Sequence, residues 1–136
     1  MQWMPRGTTA VLVVLAAFSA AAEEGKTVSP GIAGRETYRA YCASCHGLSG
    51  KGDGPVASAL KRPPADLTTI TRRNGGRFPA VRVFQSVEGS ALIAAHGSRE
   101  MPVWGDVFWR KGGTDQAQVK LRVHNLTNFI ESLQVK

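Results

Sequence analysis

YCASCHGLSGKGDGP, residues 41–55, holds both cysteines of the chain, three residues apart, with a histidine directly after the second. Three chemistries use such a group: a redox dithiol, a metal site, and a covalent attachment point for a cofactor. A redox dithiol sits beside a β-α-β pattern, and no segment here alternates apolar and polar residues long enough to be a strand. A closed zinc site needs four ligands. Beyond Cys42, Cys45 and His46 only His96 and His124 remain, and they form no second compact pair. A histidine directly beside a ligating cysteine is also badly placed to reach the same ion. C-x-x-C-H then reads as the signature of covalent haem attachment. Side chains three apart share one side of a helical turn, so both sulfurs can reach the two vinyl groups along one haem edge. His46 follows at once and swings its imidazole to the iron.

The N-terminus reads as an export signal. Arg6 is the only charge in the first 22 residues, an apolar run covers Ala10–Phe18, and Ala20-Ala21-Ala22 forms a small-residue cleavage site before Glu23-Glu24. The alternative, an uncleaved anchor, is opposed by length, since a spanning helix needs roughly 20 apolar residues. The expected organisation is a signal peptide over residues 1–22, a flexible leader over 23–31 and one domain over 32–136. Loss of Arg6 lowers the formal net charge from +7 to +6, which favours acidic partners. An exported chain seldom meets nucleic acid, and no membrane span is expected after the signal is removed. Lys61, Arg62, Arg72, Arg73, Arg77 and Arg82 cluster with one acid, Asp66. They read equally as a docking surface and as an ordinary solvated face.

The domain reads as mostly α. A helix is expected over Ile32–Tyr41, running into Cys42, and another over Pro79–Val87, with Val83, Phe84 and Val87 on one face and Gly89 ending it. The last is the clearest, from about Gln116 to Leu133. Val119, Val123, Leu126, Ile130 and Leu133 recur at spacings of three and four, and Asp115 with Gln118 resembles a capping box. Residues 47–65 and 97–114 read as loop. Such long loops are unusual in a small domain, and few apolar side chains lie between residues 44 and 78. A large apolar cofactor would fill that space.

An iron held by one histidine has a sixth position to fill. Met1 and Met4 lie in the signal, which leaves Met101 as the single methionine of the mature chain. It stands in a loop, in Arg99-Glu100-Met101-Pro102-Val103-Trp104-Gly105, held by Pro102. Met101 is the expected sixth ligand. His96 is its rival and would give a haem of lower potential. His124 falls off the apolar line of the last helix and is expected to be exposed.

With Cys42-Ala-Ser-Cys45-His46-Gly47, the run Gly50-Lys51-Gly52-Asp53-Gly54-Pro55 and Met101-Pro102-Val103-Trp104-Gly105, the chain resembles the exported bacterial monohaem cytochromes c of class I. The resemblance covers nearly all of the mature chain. It implies N- and C-terminal helices crossing around a covalently bound haem, with Gly34 and Tyr38 meeting Leu126 and Phe129. It also implies that the Pro55 carbonyl accepts the proton of the proximal imidazole, which fixes the ring and raises its basicity. Arg62 would pair with a haem propionate or stand exposed. Trp104 would pack on the haem, on the methionine loop or simply in the core.

The function expected from this resemblance is one-electron transfer in the periplasm, by a free carrier or a subunit of a complex, with one haem c per chain. Its partners would be redox proteins, a dehydrogenase as donor and a terminal oxidase or reductase as acceptor, steered to the basic face. With the iron closed by His46 and Met101 the protein would not be an enzyme. The alternative is a bis-histidine or five-coordinate haem protein that acts on peroxide or senses a gas.

Overall fold

The computed structural model describes residue 1 and residues 29–90, 101–112 and 115–135. The expected signal peptide, His96 and most of the leader lie outside the described residues. Six α-helices occur among the described residues: α1 (Pro30–Tyr41), α2 (Ala43–His46), α3 (Ile70–Arg73), α4 (Ala80–Glu88), α5 (Trp104–Gly112) and α6 (Gln116–Ser132). Two 3-10 turns, Ala57–Ala59 and Leu67–Thr69, punctuate the long central connection. No strand occurs among the described residues, and the fold is mostly α. No helix among them is long and apolar enough to cross a membrane.

The main contact is between α1 and α6. Gly34 makes it possible: a Cβ there would run into the Asn125 carbonyl and come within 3.0 Å of Phe129 Cβ. One turn on, the rings of Tyr38 and Phe129 lie 5.2 Å apart and tilted by 51°. The expected stripe on α6 faces inward, with Val119, Val123, Leu126 and Ile130 buried. α4 and α5 also pack on α6, and Val87 and Phe108 are their buried contributions. Such apolar contacts stabilise by about 1.5–3 kcal/mol per buried side chain.

Element ends follow local chemistry. α1 begins at Pro30, two residues before the expected start, because proline suits a first helical turn whose N–H groups lack partners. Pro30 and Gly31, expected to close the leader, therefore belong to the helix. α4 runs one residue later than expected, with Pro79 as its cap and Gly89, in the left-handed region, ending it. Asp115 does cap α6, but its carboxylate accepts from Ala117 N at 2.8 Å, the cap's second residue and not Gln118. Leu133 is the residue that closes the helix.

One element differs in kind. Residues 104–112 were expected within a loop and form α5. Trp104, Val107 and Phe108 lie three and four apart, Asp106 sits in the first turn, and Arg110 and Lys111 sit in the last, where their charges oppose the helix dipole. Pro102 precedes this helix, Gly105 falls in its first turn and Gly112 ends it, so none of them breaks its middle.

Candidate haem-attachment site

α1 and α2 meet at Cys42, which ends one helix and begins the other. Cys42 N donates to Tyr38 O at 2.8 Å, and His46 N donates back to Cys42 O at 2.9 Å. Cys42, Cys45 and His46 thus share a single turn. The carbonyls of that turn are taken up by the glycine-rich loop that follows. Gly52 N donates to His46 O (2.8 Å), Gly54 N to Cys45 O (3.0 Å) and Val56 N to Ser44 O (3.1 Å). Tyr38 Oη, at the α1–α6 crossing, donates to Gly47 O at 2.7 Å, which ties the site to the core.

Cys42 is buried and Cys45 half-buried. Burial, helped by the nearby Cys45, pushes the Cys42 thiol up to about 12. Burial likewise pushes the Tyr38 phenol up to about 12. Among the described residues no three His, Cys, Asp or Glu side chains gather as a metal site.

His46 Nδ1 lies 2.9 Å from the carbonyl oxygen of Ala65. A carbonyl only accepts, so Nδ1 carries a proton, and in the neutral imidazole the lone pair is then on Nε2. The resemblance assigned this duty to Pro55, and the structure sets Ala65 against the ring instead. The reason lies in Gly52. With φ of 84° and no side chain, it lets the Pro64 carbonyl pass where a Cβ would stand, and so brings the 60–66 segment against the turn. Leu67 N then donates to Gly50 O at 2.7 Å. Pro55 itself is exposed.

The remaining expected residues belong to other parts of the chain. Met101 stands before α5 and is 36 % exposed. Arg62 is exposed on the central connection. Trp104 is half-buried and belongs to an aromatic group, 5.4 Å from Tyr41 and 6.1 Å from Phe108 between ring centroids. It touches Tyr41, the neighbour of Cys42, and core packing is its visible role. His124 is exposed, with Asn128 Nδ2 at 3.2 Å from its Nε2. The six basic residues of the 61–82 stretch are all exposed, and Arg73 donates to the backbone carbonyl of Asp66 at 2.8 Å.

The donor set fits a covalently held haem. Two thiols and a histidine share one turn, and the ring nitrogen not needed for iron is already engaged. Sequence reasoning passed over Ala65 because a backbone carbonyl has no residue identity. The one available signal was Pro63-Pro64, an extended pair that carries its successor forward in a fixed direction.

A family model described as Cytochrome C oxidase, cbb3-type, subunit III matches residues 30–111. No curated protein and no solved structure matches the chain.

Proposed function

From the premise that the chain belongs to the family described as cytochrome c oxidase, cbb3-type, subunit III, and so is a c-type cytochrome serving haem-based electron transfer, we propose a periplasmic one-electron carrier or electron-transfer subunit. Cys42 and Cys45 would hold one haem per chain, and His46 and Met101 would serve as ligands to its iron. When bound, the haem supplies a single-electron couple, ferrous to ferric. The chain supplies attachment, ring orientation and a docking surface.

The observation that carries this reading is the 2.9 Å contact between His46 Nδ1 and Ala65 O on the turn that bears both thiols. It holds the ring in the tautomer that leaves Nε2 to the metal and raises its donor strength. Export rests on Arg6, the apolar run and the alanines at 20–22. Met101 rests on being the one methionine left after the signal and on its place directly ahead of α5. Redox partners follow from the family. A donor dehydrogenase and an accepting oxidase or reductase fit an exported carrier, and the exposed arginines fit acidic faces on them.

The sixth ligand tests the reading. Met101→Ala should abolish the weak far-red ferric band of iron–sulfur bonding, open the iron to cyanide and carbon monoxide, and lower the potential, because a thioether favours ferrous iron. His96→Ala should leave the spectrum unchanged. The opposite pair of results would make this a bis-histidine haem protein.

A further inference from the structure

Gln134 lies just beyond α6, and its side chain makes three hydrogen bonds. Its Oε1 accepts from Thr71 N at 2.8 Å, and its Nε2 donates to Leu67 O at 2.7 Å and to Ile130 O at 2.9 Å. Beside it, Val135 N donates to Thr68 O at 2.9 Å. The chain terminus thus ties the 3-10 turn Leu67–Thr69 and the first residues of α3 to the end of α6. A primary amide suits this place, since one acceptor and two donors are needed within a single side chain's reach.

The tied segment is the one that holds the histidine. Ala65, whose carbonyl accepts from His46 Nδ1, lies two residues before Leu67. Asp66 between them has no slack: its Oδ1 takes Thr68 N at 2.8 Å and Thr68 Oγ1 at 2.6 Å, and its carbonyl takes Arg73. On the other side Leu67 N is bound to Gly50 O. Between Ala65 and Thr71 the backbone is clamped from the attachment loop and from the chain terminus at once.

We propose that Gln134 is a positioning residue for the proximal histidine, holding the Ala65 carbonyl at His46 Nδ1 through the Leu67–Thr71 segment. The inference rests on the reading of His46 as the iron's ligand. Releasing Gln134 lets the carbonyl drift. The imidazole then loses basicity, ferric iron loses stabilisation, and the potential rises.

The test uses the full holoprotein carrying Gln134→Leu, similar in shape but without hydrogen bonds. Asp115→Ala is the control, since it removes the cap at the opposite end of α6 and leaves residues 65–71 untouched. Hydrogen exchange at Thr71 N–H and at His46 Nδ1–H is followed by NMR on the ferrous protein, together with the reduction potential. Gln134→Leu should speed both exchanges by about five- to tenfold, as the loss of one or two net hydrogen bonds allows, and should raise the potential. Asp115→Ala should do neither. Gln134→Asn, which keeps the amide but shortens its reach, should shift the same readouts in the same direction by less. Faster exchange at Thr71 alone, with His46 and the potential as in the control, would reduce Gln134 to a tie for the tail and overturn the proposal. The parent protein separates the other failure: His46 ring protons without a haem-induced shift would show that His46 is not the ligand, and the proposal would fall with that reading.

Discussion

A methyl group at position 34 would sit on the Asn125 carbonyl and against Phe129 Cβ. The backbone of α6 cannot retreat without lifting Leu126, which is fully buried. Gly34→Ala should therefore destabilise the holoprotein by about 1–3 kcal/mol, the usual cost of overpacking, in thermal or denaturant unfolding. It should leave the haem spectrum of the folded protein alone, because position 34 lies on α1 ahead of the attachment turn, which the crossing meets through Tyr38 and its bonds to Cys42 N and Gly47 O. An unchanged midpoint would mean that α1 and α6 stand further apart than the structure places them. At this scale glycine and proline positions were legible in the sequence. Carbonyl partners were not, since every residue offers the same carbonyl and only the path of the chain selects one.

Among the short elements, the 3-10 turn Leu67–Thr69 depends on its cap. Asp66 accepts from both the amide and the hydroxyl of Thr68. Those bonds, with help from the charges of Arg73 and Lys51, hold its carboxyl below the usual carboxylate range. The native protein thus releases this proton more readily than the unfolded chain does, whose Asp titrates near about 3.9. The stability gained from the cap is complete above that value and is lost as pH falls through the lower native one. Denaturant unfolding between about pH 2 and 7 should show this loss, and Asp66→Asn should flatten it while lowering stability at neutral pH by up to about 1 kcal/mol. An equally steep acid limb in the variant would place the effect on other carboxylates. Helices α4 and α6 were legible because their apolar residues recur at helical spacing and turn residues mark their ends. α5 was not, although Trp104, Val107 and Phe108 carry the same spacing. Its nine residues span too few repeats to outweigh Pro102 and the glycines in and around it.

Over the whole molecule, the excess of positive charge is concentrated on an exposed stretch between residues 61 and 82. Steering by such a face acts over about 8–10 Å at physiological salt. The bimolecular rate of reduction by an acidic partner should fall as salt is raised, and reversing two of these charges should slow it by about tenfold at low ionic strength. Arg72→Glu with Arg77→Glu is the informative pair, because Arg73 also holds the Asp66 carbonyl and its loss would disturb the fold. A rate indifferent to both salt and reversal would leave the stretch as an ordinary solvated surface.

The attachment turn, the stripe of α6 and the helical class are properties of the sequence by itself. Each is written within a few residues, in a covalent motif or a periodic pattern that needs no knowledge of the rest of the chain. The holding of His46 belongs to the tertiary structure. Its carbonyl partner lies 19 residues away, and the amide that clamps that partner's segment bridges 63 and 67 residues. Such contacts link uniform backbone groups, and only the packing of α1 on α6, which brings the chain's end back to its middle, decides which of them meet.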